Sequence, residues 1–159
     1  MLQVDTREPK GLRDLLMSKG NSGDSITVVV ETLRHGEDFI ITDRDGGCAI
    51  AFQRKTITDF LSSLGSGSLD HQLQQMKDFH RHGILILEGT YGVDQDHNIT
   101  TRKRSTGWHV NSFTAKLTKI GLRQGIGVIP TPSYEETAAY LLYLNNQAEN
   151  THQGLSRLV

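Results

Sequence analysis

The sequence predicts a three-layer α/β/α domain built on a mixed central sheet. Three observations lead there. Runs with strand period alternate along the chain with segments that repeat leucines at helical spacing. Residues 83–88, GILILE, form a near-continuous apolar run, the mark of a strand buried on both faces. A glycine pair at Gly46-Gly47, flanked by apolar runs, folds two strands into an antiparallel hairpin. With 159 residues and 36% hydrophobic content the chain suits one domain, read as 1–146 and followed by a polar tail at 147–159.

Residues 2–6 read as a short strand that runs into Asp5-Thr6-Arg7-Glu8-Pro9, where the proline ends the ladder and charges gather at the strand's C-terminal end. Open α/β sheets favour ligands at such ends. Leu12, Leu15 and Leu16 give 10–19 a helical stripe, and Gly20-Asn21-Ser22-Gly23 closes it. Residues 25–33, SITVVVETL, form a β-branched strand in which Glu31 faces either solvent or the site. This strand and the two of the hairpin read as a meander. In the hairpin Asp38, Ile40 and Thr42 share one face, and beyond the turn so do Ala51, Gln53 and Lys55. A carboxylate on one strand beside an Arg-Lys pair on the next suits a divalent cation held against a phosphate, with the lysine orienting or helping to deprotonate a water. Such a site expects a second carboxylate at position 53, where the amide of Gln53 is a neutral and weaker ligand for a hard cation.

Thr56 and Asp59 form a capping pattern that opens a helix over 56–64. After the break at Gly65-Ser66-Gly67-Ser68, a helix over 69–82 turns Leu69, Leu73, Met76 and either Phe79 or His80 inward, leaving His71, His80 and His82 as surface residues. The buried strand 83–88 ends in Glu88. Residues 90–107 read as a polar loop, long enough to suggest a functional segment. From His97 to Tyr134 there is no acid, while Arg102, Lys103, Arg104, Lys116, Lys119 and Arg123 are all basic. That block is a candidate contact for a phosphate backbone. Trp108 is a core or hinge anchor ahead of a helix over 110–123 whose Val110, Phe113, Leu117 and Ile120 face in. A short strand at 127–129 precedes Pro130. Ser133 then caps a last helix, with Glu135 and Glu136 in its first turn and Ala138, Leu141, Leu142 and Leu144 on its inner face.

The 17 basic and 18 acidic residues nearly cancel, so a nucleic-acid partner requires a local patch rather than an overall field. The single Cys48 excludes an internal disulfide and reads as a small core residue of a protein in a reducing compartment. No apolar run reaches the ~18 residues that span a bilayer, and Met1 leads directly into a strand, so the expectation is a cytoplasmic protein with no membrane partner. No glycine-rich phosphate loop or nucleophile elbow points to a small-molecule enzyme.

Five motifs in order resemble the nuclease domain of the XPF family, especially its short single-domain phage and prokaryotic members. Val4-Asp5-Thr6-Arg7-Glu8 resembles the opening Val-Asp-x-Arg-Glu. Gly36-Glu37-Asp38-Phe39 resembles Gly-Asp-Tyr with one inserted residue, and Gln53-Arg54-Lys55-Thr56-Ile57-Thr58-Asp59-Phe60 resembles the signature Glu-Arg-Lys-x-x-x-Asp-Leu. The segment 69–72 is similar to Leu-x-x-Gln, with Ser68 where an arginine is usual, and 84–89 to Leu-Ile-x-Glu-Gly. The resemblance implies a restriction-endonuclease-like PD-(D/E)XK core, dependence on Mg²⁺ or Mn²⁺, and cutting of branched or flap DNA, usually as a homodimer. It makes Asp38 the metal carboxylate, Lys55 the catalytic lysine, and Asp59 the acid behind the lysine. Asp5, Arg7 and Glu8 become a supporting cluster. Asp38, Gln53 and Glu8 are the implied metal set, and Arg54, Arg102, Lys103, Arg104, Lys116 and Lys119 the implied DNA contacts. Gln53 leaves three readings open. It is a change that removes charge while keeping shape, or its missing carboxylate comes from Glu8, Glu31, Glu37 or Glu88, or the domain binds DNA or an active partner without cutting.

Overall fold

The computed structural model describes residues 1–20, 27–102, 104–150 and Leu155. In chain order the elements are β1 (Leu2–Asp5), α1 (Lys10–Gly20), β2 (Val28–Glu31), β3 (Phe39–Thr42), β4 (Ala49–Thr56), α2 (Ile57–Ser66), α3 (Ser68–Phe79) and β5 (His82–Glu88). Then come β6 (Gly92–Val93), β7 (Asn98–Thr101), β8 (Arg104–His109), α4 (Val110–Gln124), β9 (Gly127–Thr131) and α5 (Tyr134–Asn150). Six strands form the central sheet in the order β2-β1-β3-β4-β5-β9. Around β3 the pairing is antiparallel, and β1–β2, β4–β5 and β5–β9 are parallel, so the sheet is mixed as expected.

Two cores flank the sheet. Leu12 and Leu16 of α1 and Ala138, Leu141 and Leu144 of α5 pack on Phe39, Ile41, Ile50 and Phe52. On the other face Phe60, Leu73 and Met76 of α2 and α3, with Phe113 and Ile120 of α4, pack on Ala51, Leu85 and Leu87. Strand β5 feeds both cores, Ile86 on one side and Leu85 and Leu87 on the other, which is why its sequence is apolar throughout. Trp108 packs against the second core, in the anchoring role expected of it.

Four expectations are corrected. The strands β2, β3 and β4 are not a meander, because β1 lies between β2 and β3. Helix α1 carries the chain back to the start of the sheet, where β2 joins one edge of β1 in parallel and β3 pairs antiparallel with the other. Segment 90–107 is not a loop but a separate three-stranded sheet ordered β6-β7-β8. Its signal is weak because, among its described residues, only Ile99 is buried, seated in the second core. The helix expected to reach 82 stops at Phe79. His80, in extended conformation, caps it and turns inward, while Phe79 is 62% exposed and stacks on His35. The tail expected from 147 is helical to Asn150, with Ala148 buried and Glu149 paired with the Met1 ammonium, because β3 and α1 continue to offer it an apolar surface. Beyond it, Leu155 is wholly buried in the first core. The closure at 21–23 and the start of the strand at 25–26 lie outside the described residues.

Two glycines shape the path of the chain on either side of α3. Gly67, at φ 70°, turns the chain between α2 and α3. Gly36 has φ 85°, and a Cβ there would stand 2.6 Å from the Gln72 carbonyl oxygen, so only glycine lets the segment before β3 lie against α3.

Candidate active site

Alternation along β4 sorts three consecutive residues into two layers. Phe52 and Arg54 project toward α1 and α5, whereas Ala51, Gln53 and Lys55 project toward α2–α4. The register Phe39↔Phe52 puts Asp38 opposite Gln53, on the same face. Backbone bonds fix Asp38 on both sides: its N–H donates to the Phe52 carbonyl at 2.7 Å, and its carbonyl accepts the Asp5 N–H at 2.9 Å. Asp38 Oδ2 accepts the Arg54 N–H at 2.7 Å and a hydrogen bond from Gln53 Nε2. Burial pushes the Asp38 carboxyl up to about 6 against the pull of that N–H and of the charges of Lys55 and Arg7. Asp38 and Gln53 thus meet directly, and alternation along β4 sets Lys55 on the same face. Lys55 makes no hydrogen bond or ion pair with another described side chain, and its charge is felt at Asp38.

The end of β1 forms the rim of the site. Asp5 is wholly buried and accepts Arg7 Nε at 2.8 Å, Arg7 N at 2.6 Å and Leu33 N at 2.8 Å. Burial raises its carboxyl, and these bonds to Arg7 and Leu33 outweigh that and hold it below the usual range. Glu8, also buried, rises to about 7, first through burial and then through the charge of Asp38, with Arg54 pulling the other way.

Arg54 is the principal correction among the expected site residues. Its side chain is 12% exposed and closed in by acids: Nε donates to Glu88 Oε2 at 2.7 Å, Nη2 to Glu88 Oε1, and Nη1 to Glu8 Oε2 at 3.3 Å. Thr137 of α5 also donates to Glu88 Oε2 at 2.7 Å, and its hydroxyl lies 2.7 Å from that of Thr131. The guanidinium therefore braces β4, β5 and the segment after β1 from within and does not face a DNA backbone. Lys116 is likewise committed, gripping Asp70 of α3 at 2.6 and 2.7 Å. Lys119 is exposed on α4, and Lys103 lies outside the described residues. Arg102 and Arg104 stay exposed, with Arg102 at φ 48° between β7 and β8. With Thr56, Thr58 and Thr101 they line a cleft of about 610 Å³ at the N-terminus of α2, one residue beyond Lys55. Asp59 is occupied at that same terminus: its carboxylate accepts from Thr56 Oγ1 at 2.7 Å and its N–H donates back at 3.1 Å. It shares no ion pair with Lys55.

The structure separates the carboxylates that could stand in for the one missing at position 53. Glu31 is exposed and bonded to Gln3, Glu88 is held by Arg54, and Glu37 is buried against His80, with Oε2 to Nε2 at 3.7 Å. Glu8 is buried at the end of β1, its carboxyl raised in part by the charge of Asp38, and its Oε2 meets Arg54 Nη1 at 3.3 Å. The contact of Glu37 with His80 was not foreseen, because nothing in the local pattern pairs a residue before β3 with the end of α3. Among the described residues no three His, Cys, Asp or Glu side chains gather as a metal cage. The donors present, the carboxylates of Asp38 and Glu8 with the Gln53 amide, suit a magnesium-like ion that takes one or two carboxylates and keeps its waters. They do not suit a closed zinc site.

Residues 4–144 match the family model of the ERCC4 domain. Among solved structures the chain is similar to XPF from Aeropyrum pernix, at 25% identity and a TM-score of 0.69, over 99% of this chain and 67% of that one. It is also similar to XPF from Aeropyrum pernix in complex with DNA, at 25% identity and a TM-score of 0.68, over 91% of this chain and 62% of that one. The chain thus spans about two thirds of the length of those proteins. No curated protein matches it. The mixed sheet between helical layers is the restriction-endonuclease-like fold of the XPF nuclease domain.

Proposed function

The chain belongs to the ERCC4-domain family, and from that premise we propose that it is a divalent-metal-dependent DNA endonuclease acting on branched, flap or junction DNA. The observation that carries this reading is the shared face of Asp38, position 53 and Lys55, in a family whose members are nucleases. Asp38 and Glu8, with the Gln53 amide oxygen, would hold Mg²⁺ or Mn²⁺. When bound, such an ion lowers the pKa of a coordinated water and neutralises charge developing on the phosphate.

The protein's own residues do the rest. Lys55, with no partner among the described side chains, keeps its ammonium for the attacking water or the scissile phosphate. Arg7, held through Asp5, keeps positive charge at the rim. Arg102 and Arg104 extend that charge across the cleft beside α2, where the first amides of the helix also favour a phosphate. The brace of Arg54 with Glu88 and Glu8 keeps Glu8 turned inward. A homodimer and a cytoplasmic setting complete the proposal. No helix among the described residues is long and apolar enough to cross a membrane.

A second reading has one observation behind it. Gln53 puts an amide where the family signature has an acid, which suits a silent domain that binds DNA or an active partner. Cleavage of single-stranded, duplex, flap and junction DNA with Mg²⁺ and Mn²⁺ separates the two. Metal-dependent cutting of branched substrates, abolished by Lys55→Ala and kept or raised by Gln53→Glu, is expected. Absence of cutting in both the chain and Gln53→Glu selects the silent domain, and cutting that survives Lys55→Ala removes the lysine from the reaction.

A further inference from the structure

The geometry points to a second role for Gln53: its side-chain NH₂ is a built-in substitute for the cation, bridging the Asp38 carboxylate and the Arg54 carbonyl until a divalent ion displaces it. This rests on the metal-dependent reading of the site.

Gln53 Nε2 donates to Asp38 Oδ2 and also reaches the Arg54 carbonyl oxygen at 3.3 Å. Both neighbours are acceptors, so turning the amide over would set its own oxygen against two others. The NH₂ orientation is the only one that bonds both. Two oxygens from separate groups converging on one centre of positive charge is how they would meet a cation, here with two polarised N–H bonds in its place. Gln53 is 3% exposed, so water cannot readily take over these bonds.

A glutamate at this position would face Asp38 with like charge and demand an ion or a proton. Glutamine instead joins the Arg54 N–H in satisfying the buried carboxylate without an ion. A cation must therefore break the bond to Asp38 and turn the amide so that Oε1 becomes a ligand. Ion affinity is reduced, and loading favours the moment when a DNA phosphate supplies further oxygens. Position 53 then sets when the site charges, in addition to serving as a weak ligand.

If Gln53 were only an inferior ligand, removing it would weaken ion binding further. If it occupies the ion's place, removing it strengthens binding. Calorimetric titration with Mn²⁺ of the chain and of Gln53→Ala and Gln53→Leu, each verified as folded by circular dichroism, decides this. Binding about tenfold tighter in at least one variant is expected, the size of one freed hydrogen bond to a charged group. Equal or weaker binding in both overturns the inference. In the parent chain, Mg²⁺ should move the Gln53 side-chain amide NMR signals out of their hydrogen-bonded position, and signals that stay in place while an ion binds at Asp38 overturn it too. Asp38→Ala tells the two failures apart: ion binding unchanged by that substitution, or none in any variant, removes the metal reading and this inference with it.

Discussion

Arg54 and Glu88 face each other from neighbouring parallel strands, and the guanidinium grips the carboxylate with two nitrogens while a third reaches Glu8. One cation thus stands between two buried acids at the point where β4, β5 and the segment after β1 meet. Its removal leaves both acids uncompensated. Arg54→Ala should cost about 3–5 kcal/mol in urea unfolding, and the triple change Arg54→Met, Glu8→Gln, Glu88→Gln should recover much of it. A loss below about 1 kcal/mol for Arg54→Ala would mean that the brace carries little.

Glu8 at about 7 and Asp38 at about 6 both lie above their ordinary values of 4.5 and 3.8. A carboxyl whose folded pKa is raised binds protons more tightly when folded, so stability falls as pH rises from the unfolded value through the folded one. Metal-stripped protein should therefore melt lower at pH 8 than at pH 5, by on the order of 5 °C. Glu8→Gln should flatten that slope. Asp5 has the opposite sign: its carboxyl is held low, and its contribution is lost only as pH falls below 3.8. A melting temperature that rises steadily from pH 5 to pH 8 in chelator would contradict the assignment.

The basic residues divide into those free to meet DNA and those already occupied. Arg102→Ala with Arg104→Ala should weaken binding to all sequences alike and lower the salt slope by about two. Lys116→Ala should leave that slope unchanged and lower stability by about 1 kcal/mol, because its ammonium is held by Asp70. Fluorescence anisotropy over a salt series measures both. A fall in slope for Lys116→Ala alone would reverse the assignment.

Gly36→Ala tests how the segment bearing Asp38 is seated. The added methyl meets the Gln72 carbonyl oxygen at 2.6 Å in a backbone conformation with φ 85°. A cost of about 2 kcal/mol is expected, together with weaker Mn²⁺ binding as Asp38 shifts. Wild-type stability in this variant would show that α3 does not constrain the segment.

What the sequence made legible was whatever depends on local periodicity. Alternation placed Asp38, Gln53 and Lys55 on one face, and Thr56 with Asp59 announced the start of α2. Sheet order was not legible, because the insertion of β1 between β2 and β3 depends on pairings far apart in the chain. The roles of Arg54 and Lys116 were hidden for the same reason: Glu88 lies 34 residues beyond Arg54, and Asp70 lies 46 residues before Lys116. The small sheet β6-β7-β8 went unseen because its strands are short and polar, with only Ile99 and Trp108 turned to the core among their described residues.

Since Gln53, Arg54 and Lys55 serve opposite layers, the spacing of β4 tolerates no insertion or deletion. Adding one residue between Ile50 and Arg54 would carry the guanidinium to the face of Asp38 and turn the lysine toward the layer of α1 and α5. Descendants of this sequence can vary this strand by exchange of residues alone. Changes of length are left to the turn at 43–48 and to the ribbon bearing Arg102, both outside the strand that carries position 53.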